Sequence, residues 1–246
     1  MPSKVQIKTI RALQHKKYRQ KFDQFIVEGV KNTLELLKSD HIEVKILFVT
    51  PKYLEKYPVL LEQDGEVEVV DEKTLKKISC LSTPQGILGI CQIPTQSTSL
   101  PLNNKITLML DGVRNPGNLG TIIRIADWFG IENIIYSPDC VDPFNPKTVQ
   151  ATMGSIGRIK LWKKDLTTVL QENNTLSTYA ATLKGTPLTQ IEKLEEGIIL
   201  IGNESNGINP ELLTLIRKEI TIPKIGEAES LNAAVATGII CGRLLL

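Results

Sequence analysis

Two rhythms of apolar and polar residues run along this chain, one typical of helices and the other of short buried strands. Near the start, Val5, Ile10 and Leu13 recur at helical spacing among basic residues, which predicts an amphipathic helix. The apolar positions of residues 25–37 follow with a rhythm that also fits a helix. The chain is therefore predicted to begin with helices.

Short apolar runs come next and have the signature of strands. The run at 44–50, VKILFVT, is ended by Pro51 and predicts a buried strand. The runs at 67–71 and 86–93 repeat this signature around a predicted helix at 72–79. The first part of the chain is thus predicted to be a compact α/β unit.

A linker separates this unit from the rest of the chain. Residues 93–105 are rich in Pro, Ser, Thr and Asn and have little apolar content beyond Leu100 and Leu102. We therefore predict a first domain of residues 1–95, a linker of 96–105 and a second domain of 106–246.

The second domain alternates strand and helix signatures. Its first part reads as strand, Gly-rich loop, helix and strand, in the segments ITLMLDGV, RNPGNLG, TIIRIADWFG and IENIIYSP. Further strands are predicted at 159–165, 176–183, 197–202 and 219–224, with helices near 211–218 and 231–244. This alternation predicts a mostly parallel sheet covered on both faces.

Composition narrows the class of protein. The chain has 246 residues, 41% of them hydrophobic, which is enough to form a real core. We find no apolar run of the ~18 residues that a membrane span needs, and so expect a cytoplasmic protein without membrane contact. Its four scattered cysteines form no CxxC pair and have no histidine at ligand spacing, which favours reduced thiols and gives no support for a metal site.

Charge is informative in its distribution rather than in its sum. The net charge is only +2, but no acidic residue precedes Asp23. The basic residues of this opening segment are Lys4, Lys8, Arg11, Lys16, Lys17, Arg19 and Lys21. A cationic face at the amino end can contact phosphates, although a run of charge by itself usually marks only a solvated face.

The first segment with candidate chemistry follows the strand that ends near Leu110. Pro116 and Gly117 break the chain, a helix follows, and Asn118 and Arg124 then lie on the side of the sheet where ligands of α/β proteins usually bind. Taken alone, PGNLG favours a simple tight turn. Neither GxGxxG nor GxxxxGK[ST] is present, so this loop is not a nucleotide-binding fingerprint of either kind.

Two further polar loops also follow strands. In IGNESNGI, Glu204 stands at the mouth of an apolar strand, where a carboxylate is costly unless it is paired or solvated; the role of helix cap fits Asn209 better. In IPKIGEAESLN, Ser230 and Asn232 flank the start of a helix of small residues. Ser230 by itself could be only a helix cap.

Together the three loops resemble the SpoU, or TrmH-like, branch of the SPOUT RNA methyltransferases, on the signatures NPGNLGTIIR, IGNESNGI and IPKIGEAESLN. The resemblance implies an α/β fold whose carboxyl-terminal segment threads a deep trefoil knot, where the pattern alone predicts a doubly wound sheet. It also implies a homodimer that methylates ribose 2′-hydroxyls of RNA with S-adenosylmethionine. The cofactor would contact Gly202, Asn203, Gly207, Ile222, Pro223, Ser230, Leu231 and Asn232.

The resemblance assigns catalysis to a small group of residues, namely Asn118, Arg124, Glu204, Ser230 and Asn232. Arg124 is the residue proposed to activate the hydroxyl, yet an arginine with a pKa above about 12 hardly ever gives up its proton. We expect Arg124 to bind the RNA through the phosphate beside the target ribose. Glu204 is then either a base or a group that orients Arg124. Asn115, Ser205 and Lys224 depart from the usual family pattern.

The first domain resembles the L30e-like substrate-binding domain that precedes the catalytic domain in many SpoU-type enzymes. The resemblance is carried by FIVEG, which contains Glu28 and Gly29, and by LSTPQGILGI. It implies that Lys16, Lys17 and Arg19 contact RNA, and it favours ribosomal over transfer RNA.

The residues leave two alternative functions open. One is an RNA- or ribosome-binding protein that has kept the fold and lost catalysis, against which the complete catalytic set argues. The other, a nucleotide-dependent oxidoreductase, lacks both the Gly-rich fingerprint and a ribose-binding acid at the usual distance.

Overall fold

The computed structural model describes residues 2–62, 64–96 and 99–246. The helices are α1 (Lys4–Ala12), α2 (Lys16–Phe22), α3 (Val30–Leu36), α4 (Pro51–Lys56), α5 (Glu72–Ile78), α6 (Pro116–Trp128), α7 (Pro146–Thr152), α8 (Leu166–Glu172), α9 (Pro210–Leu213) and α10 (Ala233–Leu245). The strands are β1 (Gln24–Glu28), β2 (Val44–Val49), β3 (Glu66–Val69), β4 (Ile87–Gln92), β5 (Ile106–Leu110), β6 (Asn133–Tyr136), β7 (Lys160–Lys163), β8 (Thr178–Pro187), β9 (Gly197–Ile201) and β10 (Lys218–Thr221).

The chain divides into two compact units. Their boundary does not fall at the linker alone, because the first unit also includes a later segment of the chain. The first unit is Met1–Thr95 with Asp142–Arg158, and the second is Gln96–Val141 with Ile159–Leu246. The segment 142–158 belongs to the first unit because Phe144 packs on Phe25, with ring centroids 5.0 Å apart.

The predicted linker, 96–105, is only partly covered by the structure. Its residues Ser97 and Thr98 lie outside the described residues. Leu100 and Leu102 pack with the core cluster of the second unit, so the end of this segment is held by apolar contacts.

The first unit is built on a mixed sheet with the order β1-β4-β2-β3. Strand β4 is antiparallel to β1 and β2, whereas β3 is parallel to β2. Helices α1 and α5 bury apolar residues in the same core as the strands. That core contains Ile10, Leu13, Ile26, Phe48, Val70, Leu75, Ile78, Leu88 and Ile90.

The helix predicted across residues 25–37 is wrong in its first half. Residues 24–28 form β1, which pairs with β4 in the register Phe25↔Cys91. Asp23, at a φ of 50°, ends α2, and Gly29, at a φ of 87°, separates β1 from α3. A short apolar run fits both periods, and the pairing partner decides between them.

The second unit confirms the predicted parallel sheet. Its six strands follow the order β10-β8-β9-β5-β6-β7 and every adjacent pair is parallel. The chain moves from β5 outward to β7 and then crosses to the other side of β5, where it forms β8, next β9 between β8 and β5, and last β10 at the edge. The loops after β5 and β9 therefore lie at the switch point of the sheet, where such folds place their ligands.

Helices α6 and α10 pack closely beside this sheet. A Cβ at Gly238 would lie 3.6 Å from Ile125 Cδ1, and one at Gly242 would lie 3.7 Å from Phe129 Cζ. Small residues on α10 thus let the two helices approach each other. As a result, the amino ends of both helices meet at the switch point.

Candidate active site

The loop after β5 is fixed by a helix cap. Asn115 accepts hydrogen bonds from the amides of Gly117 at 2.8 Å and Asn118 at 3.1 Å. Asparagine caps a helix about as well as aspartate does, so the departure from the family pattern at Asn115 keeps this local function. The cap sets the direction of Asn118 on the first turn of α6.

Three of the predicted catalytic residues are joined in one hydrogen-bonded chain. The Asn118 amide donates to the carboxylate of Glu204. The Asn232 amide in turn donates to Asn118 Oδ1 at 2.9 Å. These residues come from the loops after β5, β9 and β10, so the fold brings together groups that are far apart in sequence.

Asn232 has a second role as the cap of α10. Its Oδ1 accepts from the amides of Ala234 at 2.9 Å and Val235 at 3.3 Å. Ser230 does not cap this helix, and its hydroxyl makes no hydrogen bond to another described residue. Ser230 is exposed, so it is free to contact a ligand.

Asn203 organises the loop after β9. Its backbone pairs with that of Gly207 at 2.9 and 3.0 Å, and its side chain donates to the carbonyl of Gly112 at 2.6 Å. A Cβ at Gly202 would lie 2.5 Å from the Gly207 carbonyl carbon. Only glycine fits at 202, because the loop folds back on itself there.

The remaining predicted cofactor contacts lie on the loop after β10. Ile222 is half-buried, Pro223 is exposed and Leu231 is 45% exposed. This loop therefore presents apolar side chains beside the polar chain of Asn118, Glu204 and Asn232.

Arg124 is separate from that chain. It lies on the exposed face of α6 with Gly117, Thr121 and Trp128, ~9 Å along the helix axis from Asn118. Its guanidinium makes no hydrogen bond or ion pair to any other described residue. The charge is thus available to an anionic ligand.

Asp111 borders these loops and is not among the site residues predicted from the sequence. It follows β5 directly, as Glu204 follows β9 closely, and its carboxylate accepts from the Asn209 amide at 2.7 Å. Burial raises the pKa of Asp111, and the nearby Asp139 carboxylate raises this pKa further. The feature of the sequence that could have indicated Asp111 is its position directly after a buried strand.

Replacing Asp111 with asparagine should stabilise the protein at neutral pH. A carboxyl whose pKa is raised on folding contributes stability below its unfolded pKa of about 3.9 and loses it as the pH rises through the raised value. Asparagine keeps an acceptor for the Asn209 amide without the charge. Thermal melts should therefore show a gain at neutral pH that vanishes at acid pH.

Asp165→Asn is the matched control for this measurement. The Thr168 amide and hydroxyl lower the pKa of Asp165, so its carboxylate contributes stability above its unfolded pKa and loses it as the pH falls. This variant should gain nothing at neutral pH. The prediction would be contradicted if the difference in melting temperature between Asp111→Asn and wild type were the same at neutral and at acid pH.

The predicted RNA contacts of the first unit divide into two groups. Lys16 and Lys17 are exposed on α2. Arg19 is only 1% exposed and donates to the Asp142 carboxylate at 2.6 and 2.8 Å. Its guanidinium also donates to the carbonyls of Leu13 at 2.7 Å and Gln14 at 2.9 Å.

Arg19 is therefore wrongly predicted as a phosphate contact. A guanidinium that is buried and committed to a carboxylate and two carbonyls holds α2 in place instead. Glu28 of the FIVEG segment is also a structural residue. It is 5% exposed and accepts from the Ser79 hydroxyl and from the Cys80 amide, the latter at 2.7 Å.

The described part of the chain has neither a metal-binding cluster nor a membrane-spanning helix. In residues 2–62, 64–96 and 99–246, no group of three or more His, Cys, Asp or Glu side chains is placed to hold a metal ion. In the same ranges no helix is long and apolar enough to cross a membrane.

Comparisons with known sequences match both parts of the chain. The SpoU rRNA Methylase family matches residues 105–242, and the MRM3-like substrate binding domain matches residues 4–89. A curated relative is the 23S rRNA (guanosine(2553)-2'-O)-methyltransferase RlmP of Bacillus subtilis. It is 32% identical over 237 residues, which cover 95% of this chain and 93% of that protein.

Solved structures are similar over nearly the whole chain. A TrmH-family structure from Porphyromonas gingivalis has a TM-score of 0.87 at 35% identity and covers 100% of this chain and 98% of that one. An AdoMet-bound rRNA methyltransferase from Sinorhizobium meliloti has a TM-score of 0.87 at 32% identity, covering 99% and 96%. The similarity thus includes both units.

Proposed function

The chain belongs to the SpoU rRNA Methylase family, and we therefore propose that it transfers a methyl group from S-adenosylmethionine to a ribose 2′-hydroxyl of ribosomal RNA. The observation that carries this proposal is the hydrogen-bonded chain of Glu204, Asn118 and Asn232, which joins the three polar loops at the switch point. Ribosomal RNA is favoured over transfer RNA because the relative that is similar over nearly its whole length is named for a 23S rRNA target.

The residues present fit the cofactor. Gly207 has a left-handed φ of 68°, and nothing lies within 4 Å of the position that its Cβ would take. Leu231 and Ile222 offer apolar surface to a purine ring, and the loop that contains Gly202, Asn203 and Gly207 offers backbone polar groups. Pro223, Ser230 and Asn232 complete the proposed contacts. When bound, S-adenosylmethionine supplies a methyl group already activated on a sulfonium.

Arg124 activates the acceptor in this proposal. A 2′-hydroxyl is a weak acid, so its oxygen must lose a proton as the new O–CH₃ bond forms. The Arg124 guanidinium binds the adjacent phosphate and stabilises the negative charge that develops on that oxygen. It remains charged throughout, because its pKa is too high for it to act as the base.

Glu204 receives the proton in this proposal. Asn118 donates to one carboxylate oxygen, which holds the group at the loop edge and leaves the second oxygen for the hydroxyl. Asn232 fixes the orientation of Asn118 in turn. Ser230 contacts the substrate or cofactor from the exposed end of the third loop. No metal ion is required, since the leaving thioether is neutral.

The trefoil knot stays a prediction. Two features support it: β10 lies at the outer edge of the sheet, and the segment that follows it returns past β8 and β9 to place Asn232 beside Asn118. A cytoplasmic location likewise stays a prediction.

A homodimer is supported by an apolar surface on α6 and α10. Trp128 is 80% exposed, Val235 51% and Ile239 41%, and such a patch is typical of a protein interface. Arg124 lies one turn from Trp128, so a partner at this patch would also border the active site. Leu244 is fully buried and Leu246 is 84% exposed, so the last leucines are divided between core and surface.

Trp128→Glu should convert the dimer to monomers, because a charge at the centre of an apolar interface is left without a partner. Light scattering after size-exclusion chromatography measures the mass directly. Leu183→Glu is the control, since Leu183 is 73% exposed and lies on β8 rather than on α6 or α10. A wild-type protein that is monomeric, or a dimer that persists in Trp128→Glu, would contradict the interface.

Methylation of total RNA tests the function itself. We expect the purified protein to transfer labelled methyl groups to ribosomal RNA from a strain that lacks the gene, and not to RNA from the parent strain. Ribose-methylation maps of the two strains should differ at one ribosomal position. A difference confined to transfer RNA would assign that substrate instead, and binding of S-adenosylmethionine without methylation of any RNA would favour the catalytically inactive alternative.

A further inference from the structure

Helix α2 carries two stacked aromatic residues on its outer face. The ring centroids of Tyr18 and Phe22 lie 6.3 Å apart with an interplanar angle of 16°, and each residue is 37% exposed. His15, at the cap of the same helix, meets Tyr18 edge-on at 6.5 Å. These partly exposed rings offer flat surfaces to a ligand.

The charged residues of α2 itself are all basic, and the exposed Asp23 directly follows the helix. Lys16 and Lys17 are exposed on the same helix, and the Lys21 ammonium lies 5.6 Å from the centre of the Phe22 ring. No acidic residue occurs before Asp23, so these cations are not neutralised within the opening segment. A ligand suited to this surface carries regular negative charge together with planar groups.

Buried contacts hold this surface in place. Arg19 lies between the aromatic residues in sequence but points inward, where it binds Asp142 and the carbonyls of Leu13 and Gln14. These bonds fix α2 against the rest of the first unit. The aromatic and basic side chains are therefore presented by a rigid support, which lowers the entropic cost of binding.

A second aromatic pair in the same unit serves as an internal comparison. Tyr53 and Tyr57 are stacked with centroids 6.4 Å apart, and Lys56 lies 5.4 Å from the Tyr57 ring centre. Both tyrosines are half-buried, and Tyr53 packs against Gly86. Acidic neighbours, Glu55 and Glu62, offset the lysines there. Greater exposure and a larger excess of positive charge thus distinguish the pair on α2.

We propose that α2 is a platform for unpaired nucleotides of the substrate RNA, whose bases stack on Tyr18 and Phe22 while Lys16, Lys17 and Lys21 contact the phosphates. The proposal rests on the proposed function in taking RNA as the substrate. It adds that the first unit recognises a single-stranded element, because the faces of bases in a duplex are already stacked on one another. An acidic peptide fits the lysines but offers no planar groups to the rings.

Fluorescence anisotropy of the full-length protein with two RNA probes tests this platform. The probes are a labelled oligouridylate of about twelve nucleotides and an RNA duplex of the same length. Tyr18→Ala and Phe22→Ala should each weaken binding of the oligouridylate about tenfold, with little effect on the duplex. Tyr18→Phe keeps the ring and should bind as wild type does.

The salt dependence separates stacking from charge. Lys17→Gln should reduce the slope of log affinity against log salt by about 1, whereas Tyr18→Ala should lower affinity at every salt concentration and leave the slope unchanged. Tyr57→Ala, with its melting temperature checked, is the control aromatic and should bind both probes as wild type does.

The outcomes are distinct. Aromatic variants that bind oligouridylate within twofold of wild type, or that weaken both probes equally, overturn the stacking platform. If Lys17→Gln alone weakens binding, the proposed RNA function stands without the platform. Wild-type protein that binds a labelled polyglutamate peptide but not the oligouridylate would also overturn it and assign an acidic peptide as the ligand.

Discussion

Replacing Arg124 with lysine is expected to lower the rate of methyl transfer about a hundredfold, the usual loss when one preorganised donor to a transition state is removed. Lysine retains the positive charge but loses the planar fork that binds a phosphate through two parallel hydrogen bonds. Single-turnover transfer to ribosomal RNA measures the chemical step separately from product release.

Folding should be unaffected by this change. Arg124 is exposed and makes no hydrogen bond or ion pair within the described part of the chain, so its removal leaves no partner unsatisfied. Arg243→Lys is the matched control, since Arg243 is exposed toward the other end of α10. Full turnover by Arg124→Lys would show that charge alone suffices and that no bidentate contact is made.

Replacing Arg19 with alanine is expected to destabilise the first unit by about 3–5 kcal/mol, which is typical when one partner of a buried ion pair is removed. The substitution leaves Asp142, whose side chain is 13% exposed, without its cation. It also deprives the carbonyls of Leu13 and Gln14 of their donor. Urea unfolding followed by circular dichroism measures the loss.

The neighbouring Lys17 provides the control, because its side chain is exposed and Lys17→Ala should change stability by less than about 0.5 kcal/mol. A double variant, Arg19→Ala with Asp142→Ala, removes the unpaired charge as well. It should be less destabilised than the sum of the two single variants. Equal unfolding midpoints for Arg19→Ala and Lys17→Ala would exclude a structural role for Arg19.

Patterns in the sequence predicted most of the sheet in the second unit. Buried parallel strands are short and continuously apolar, and the run of Gly197–Ile201 has this pattern. The strand Gln24–Glu28 was missed because its few apolar positions also fit a helical period. Its identity depends on β4, more than sixty residues further along, which no local pattern includes.

The sequence by itself determined the family, the parallel sheet of the second unit and the three loops that carry polar residues, because periodicity and motifs are local properties. Only the tertiary structure joined Asn118, Glu204 and Asn232, placed residues 142–158 in the first unit and separated Arg19 from its neighbours Lys16 and Lys17. An arginine and two lysines are equivalent in a charge pattern. Burial beside Asp142 is what makes Arg19 a structural residue, since a charge removed from water must be paired within the protein.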